Sequence, residues 1–323
     1  MRKQFMEKHP LLFAVMGVIL PLAVLFLTGF IPNTAPFSLG LREAAAALII
    51  FAVYGLFFGF SRLKWNSAGI GYGFRVMRYY YIAIGVLALI VLYETTTLLR
   101  NRTEMESLIA QDAANAAVFE PYLNISAGSI ARNLVTYLLL FGFVGIVEEF
   151  TLRGMTFAGL ARCCRDKKNG IVWAAVLSGL LFGFIHIAWD LIDGSVNSTD
   201  AMLAAAAKVI SAGAFGIVLA LIYYRTRNIW VVAALHSLDD MLLAFQTIFL
   251  GFEGVGEYTA VGAGEDIRSV LLIQAINTLI MIPAILRCVR ALREEDEPAV
   301  LPPEADFVPR RIVYVKPIRD NFR

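Results

Sequence analysis

The chain has 323 residues, 59% of them hydrophobic and 17% charged, with a net charge of +2 and a mean hydropathy of +0.68. Soluble domains carry about 25% charged residues, so this composition excludes a soluble domain and points to an integral membrane protein. A charge of +2 with no block of basic residues gives no argument for a nucleic-acid partner.

Taken in order, long apolar runs lie at 11–31, 43–60, 79–99, 130–150, 171–189, 202–224, 229–250 and 269–288. Most approach the ~20 residues that cross a ~30 Å hydrocarbon core as helix. The predicted fold is therefore an all-α, polytopic membrane bundle of about eight transmembrane helices. The first run follows Arg2, Lys3 and Lys8, but it is too long for a signal peptide and lacks a small-residue cleavage site. It reads as an uncleaved span.

Orientation follows from lysine and arginine in alternate connections. With the N-terminus in the cytoplasm, 21 such residues fall inside, among them Arg62, Lys64, Arg162, Arg165 and the basic tail, against 5 outside. Both termini are predicted to be cytoplasmic. The outer connection over about 100–129 is expected to hold a short amphipathic helix before Pro121. Cys163 and Cys164 have neither disulfide nor metal spacing and are expected in a loop. Residues 1–290 read as one transmembrane domain, and 291–323, rich in Pro and acid and then basic, as a flexible cytoplasmic tail.

The informative residues are the ionisable ones inside the spans. Residues 138–154 read LLLFGFVGIVEEFTLRG, an apolar run ending in Glu148 and Glu149 with Arg153 four residues after the second. The fifth run carries Phe182 and His186, the sixth Lys208, the seventh His236, Asp239 and Asp240. A charge near the bilayer centre costs at least ~2.5–3.5 kcal/mol, and such residues mark functional sites by default.

Spacing sharpens this. Glu149 and Arg153 share a helix face and can pair, as can His236 and Asp240; Asp239 points ~100° away from Asp240. Adjacent Glu148 and Glu149 cannot face one point, so one is expected at a cavity while the other pairs with Arg153. Gly179 and Gly183 form a small-xxx-small pattern that permits close helix approach. Lys208 is expected to snorkel to the outer surface.

A glutamate and a histidine in a restricted cavity can hold a water and take its proton as it attacks a carbonyl. A second histidine with a nearby carboxyl can stabilise the oxyanion. Amide hydrolysis suits this inventory best. No serine sits in a G-x-S-x-G setting, and HExxH is absent. Glu148, His186 and His236 could instead hold a zinc ion as a three-ligand open site, and the residues alone leave both mechanisms open. Two other classes compete: a non-catalytic membrane scaffold, and a proton-coupled transporter built on the same acids and imidazoles.

The three patterns EExxxR (Glu148, Glu149, Arg153), FxxxH (Phe182, His186) and HxxxD (His236, Asp240), in order on separate spans, resemble the CPBP family. These are the CAAX-protease and bacteriocin-processing intramembrane endopeptidases, also called the Abi or type II CAAX prenyl endopeptidases. The resemblance covers about 130–250. It implies that Glu148 activates water with His186, that His236 and residue 240 form the oxyanion site, and that Glu149, Arg153 and Phe182 support them. It also implies a membrane-associated peptide or protein as substrate, or an immunity role for a non-catalytic member. Where prenyl-protein members end the last motif in Asn, this chain has Asp240, which when ionised accepts hydrogen bonds but cannot donate them. Members are often labelled metalloproteases, which keeps zinc as the candidate cofactor. The expected setting is a bacterial plasma membrane.

Overall fold

In hydrocarbon a backbone can satisfy its amides only internally, and the apolar runs are helical throughout the computed structural model. It describes residues 2–32, 37–60, 63, 65, 67–112, 115–252 and 267–293, and among these there is no strand. Arg62, Lys64 and the tail from 294 onward lie outside the described residues.

The helices are α1 (Arg2–Lys8), α2 (Pro10–Thr28), α3 (Ser38–Phe58), α4 (Ile70–Arg100), α5 (Arg102–Gln111), α6 (Ala116–Leu123) and α7 (Ala127–Thr151). A π-helical segment, Leu152–Phe157, joins α7 to α8 (Ala158–Cys164). Then come α9 (Gly170–Ile185), α10 (Ala188–Ile192), α11 (Thr199–Thr226), α12 (Ile229–Ala244), α13 (Thr247–Leu250) and α14 (Ile267–Arg293). The connection between α4 and α7 holds two short helices, α5 and α6, and the second continues through Pro121. Cys163 and Cys164 are free and end α8, not a loop.

Among the described residues, six stretches are long and apolar enough to cross a membrane: α2, α3, α4, the continuous rod Ala127–Cys164, α11 and most of α14. The other two expected spans are α9 and α12, each 16 residues. At ~1.5 Å per residue each covers about 24 Å, short of the ~30 Å core. His186 directly follows α9, and His236 lies within α12. The fifth run does not continue to 189, because α9 stops at Ile185 and the chain turns at His186 and Ile187.

Local chemistry fixes the ends that matter. Ser126 caps α7 by accepting from the Ser129 amide, and Ser129 returns the bond to the Ser126 amide. Ser198 caps α11 and Asn228 caps α12 through the same kind of acceptor. Arg227, left-handed at φ 56°, reverses the chain in two residues between α11 and α12. Because Asn228 and Ile229 are buried, α12 begins inside the bundle.

Close approach sets the packing. A Cβ at Gly183 would overlap the Val209 carbonyl, and one at Gly179 the Gly213 carbonyl, so α9 lies backbone to backbone against α11. Gly145 meets the Ala233 carbonyl in the same way and brings α7 onto α12. That seam is stitched by Tyr137 Oη donating to the Met241 carbonyl at 2.5 Å, and Asn133 Nδ2 donates to the Ile248 carbonyl of α13 at 3.3 Å. Outward faces of α2, α4 and α14 expose Leu11, Ile19, Phe26, Leu89, Ile90, Leu272 and Leu279, which suits contact with lipid.

Candidate active site

The π segment after Glu149 widens the helix by one residue per turn, a distortion that recurs at functional sites. Its carbonyls find partners elsewhere: Ser178 Oγ on α9 donates to the Leu152 carbonyl at 3.4 Å. Thr156 Oγ1 donates to the Ala14 carbonyl of α2 at 3.0 Å. Arg153 lies within this segment and is wholly buried, as is Glu149; Arg153 Nη1 stands 2.9 Å from Glu149 Oε1. The guanidinium also covers the Phe182 ring at 4.4 Å, a cation–π contact strengthened by the absence of water. Room for it comes from Gly216 of α11, where a Cβ would reach 3.2 Å from Nη2 and 3.1 Å from Phe182.

Both histidines meet at Phe182. Ring centroids of Phe182 and His186 are 4.5 Å apart, and those of Phe182 and His236 are 5.5 Å apart. His236 is eighth on α12 and His186 follows the sixteenth residue of α9, so their depths would differ if both helices started at one level. His186 Nδ1 is 2.8 Å from the Phe182 carbonyl. A carbonyl can only accept, so Nδ1 carries the proton and Nε2 the lone pair when the ring is neutral. His236 Nδ1 donates to Glu149 Oε1 at 2.7 Å, and its Nε2 faces Asp240 Oδ2 at 3.5 Å and Glu148 Oε2 at 3.9 Å.

The two neighbouring glutamates are thereby divided. Glu149 is 0% exposed and engaged by both Arg153 and His236. The Glu148 side chain is 25% exposed, and its buried Oε2 has no hydrogen-bond partner. Asp240 is 27% exposed beside it. Asp239 turns the other way, buried beside Tyr80 of α4.

The sequence-predicted residues Glu148, Glu149, Arg153, Phe182, His236 and Asp240 form one contiguous group, with His186 attached through Phe182. Three features differ from expectation or were missed. Lys208 does not reach an outer surface: it is half-buried, within electrostatic reach of Asp240, Asp239 and Glu148. Glu43 of α3, one turn past Gly40 where α3 crosses α7 at Thr136, is buried within electrostatic reach of Glu148, Asp240 and His236. The available signal was a carboxylate inside the second apolar run. The π segment has no signature in a pattern of apolar residues.

A zinc site would need Glu148, His186 and His236 on one point. Among the described residues, no group of three or more His, Cys, Asp or Glu side chains is placed to hold a metal ion. The residues as placed do not make up that ligand set.

Membrane-length helices around a buried group of carboxylates, imidazoles and one guanidinium define a multi-pass membrane protein with a polar site inside its bundle. Residues 130–242, which run from α7 into α12, match the family model described as type II CAAX prenyl endopeptidase, Rce1-like. That segment, about a third of the chain, is similar to the CPBP family of membrane proteases. No curated protein and no solved structure matches it.

Proposed function

We infer that the chain is an intramembrane endopeptidase that hydrolyses a peptide bond in a membrane-associated peptide or protein of a bacterial plasma membrane. The observation that carries this reading is the contrast between the glutamates: Glu149 is 0% exposed and held through Oε1 by Arg153 and His236, whereas the Glu148 side chain is a quarter exposed and its Oε2 makes no hydrogen bond. A carboxylate so placed is suited to hold a water and remove its proton.

In the proposed reaction, Glu148 takes one proton from water as the oxygen attacks the scissile carbonyl. His186 Nε2 accepts the hydrogen bond of the second water proton and orients the attack. With both ring nitrogens protonated, His236 donates to Glu149 from Nδ1 and offers Nε2–H to the oxyanion as it forms. The tetrahedral intermediate collapses, the C–N bond breaks, and the proton held by Glu148 passes to the departing amine. Asp240 orients His236 through Nε2, a positioning role that an ionised carboxylate can fill. Glu149, Arg153 and Phe182 hold the two imidazoles in register.

The test is cleavage of a membrane-embedded reporter peptide by purified chain in liposomes. Glu148→Gln and His186→Ala should each abolish product at unchanged melting temperature; wild-type rates in either variant overturn the assignment. Reporter bound but never cut, by wild type as well, would support the scaffold reading instead.

A further inference from the structure

Away from the proposed site, positive charge gathers where the start of α4 meets the end of α14. Arg287 Nη1 of α14 donates there to the Arg75 carbonyl of α4 at 3.5 Å. Two guanidinium groups from different helices lie over one ring: Arg78 and Arg287 stand 4.6 and 4.8 Å from the centroid of Tyr79. Arg78 Nη2 also donates to Tyr79 Oη at 2.7 Å. Tyr79 is 48% exposed, so its ring holds both charges together at the surface. Neither arginine makes an ion pair among the described residues. No Asp or Glu occurs in 67–93 or 269–293, which hold this part of α4 and α14, nor in 201–238, which includes the α11 residues packed on α14. Each guanidinium has five N–H donors, and the bonds just named use one of each.

Two like charges on one exposed ring, with open donors and no carboxylate, suit an anion. The planar fork of arginine matches phosphate oxygens two at a time. Beside the charges both helices turn apolar outward. Ile82 and Val86 follow Tyr79 on α4, Leu279, Ile282 and Leu286 precede Arg287 on α14, and all are exposed. Three- and four-residue spacing keeps each set on one helix face. A cationic end beside an apolar stripe complements both halves of a phospholipid. We propose that Arg78 and Arg287 bind the phosphate of an anionic glycerophospholipid whose acyl chains lie along the α4–α14 seam. Basic pockets between membrane helices hold such headgroups. A zwitterionic lipid fits less well, because its ammonium group adds a third cation. The site does not rest on the endopeptidase reading, and both helices lie outside the matched segment 130–242.

The test is native mass spectrometry of the full chain in detergent micelles with equal amounts of phosphatidylglycerol and phosphatidylcholine of the same acyl chains. Phosphatidylglycerol should form the first lipid adduct ~10-fold more often. Arg78→Gln and Arg287→Gln should each lower that ratio to about threefold or less. Should one of them fail to fold, the other reads the same site. Lys168→Gln removes an exposed cation from the turn between α8 and α9 and should leave the ratio unchanged. Parity of the two lipids on wild type, or a ratio that Lys168→Gln lowers as far as Arg287→Gln does, overturns the proposal; the arginines then serve only general attraction to a charged surface. A preference that emerges only when Glu294, Glu295, Asp296 and Glu297 are all changed to Gln overturns it too, because the chain's own acids then occupy the arginines.

Discussion

Replacing Glu149 by glutamine separates the two glutamates most sharply. The shape of the side chain is preserved, and its amide oxygen can still accept the His236 Nδ1 hydrogen bond now measured at 2.7 Å. What disappears is the charge opposite Arg153, whose guanidinium is 0% exposed and 2.9 Å away. Removing one partner of a buried ion pair costs about 3–5 kcal/mol because the other charge is left unpaired. The weaker neutral hydrogen bond to His236 draws on the same carboxylate, so its loss lies within that figure. Glu148→Gln has no such consequence, because Glu148 makes no hydrogen bond through Oε2 and is a quarter exposed; its expected cost is under about 1 kcal/mol. Denaturant unfolding in mixed micelles measures both. The double variant Glu149→Gln/Arg153→Met removes both charges and should recover much of the loss, since an apolar pair of similar volume is often neutral. Glu149→Gln within about 1 kcal/mol of wild type, or a double variant that loses the sum of its parts, would refute the reasoning.

Glu148→Gln should lower the cleavage rate by at least ~10²-fold, read by product formation from a reporter peptide, while unfolding stays where it was. Gly183→Ala pushes a methyl group into the Val209 carbonyl and should cost about 1–3 kcal/mol by overpacking. Because Phe182 lies on the same short helix and His186 caps it, its activity should fall as well, which thermal unfolding and a rate measurement check together. Phe182→Leu removes the ring shared by Arg153, His186 and His236; a loss of about 2 kcal/mol or more is expected, with the imidazole proton resonances of both histidines shifted.

Much of the site was legible because its parts repeat at helical spacing. Four-residue intervals put Glu149 with Arg153 and His236 with Asp240, and both pairs are present. The divergence of Asp239 from Asp240 follows from the same period. The link from His236 to Glu149 was not legible, because nothing in spacing says how one helix is set against another. It depends on Gly145 admitting the Ala233 carbonyl. Helix ends were the other blind spot. Hydropathy carried the fifth span to 189, whereas the chain turns at His186, and an apolar window cannot sense a turn made among apolar residues. Lys208 and Glu43 were hidden for a third reason. Each sits within a few turns of a helix end, where a charge reads as reaching for water, and only the tertiary structure brings both to the inner carboxylates.

The most direct test presents the purified chain, reconstituted in liposomes, with a library of membrane-associated peptides, and sequences the products by mass spectrometry. New C-termini that appear with wild type and vanish with Glu148→Gln are the predicted result. Products that form equally with Glu148→Gln would contradict the assignment of Glu148 as the base that activates water.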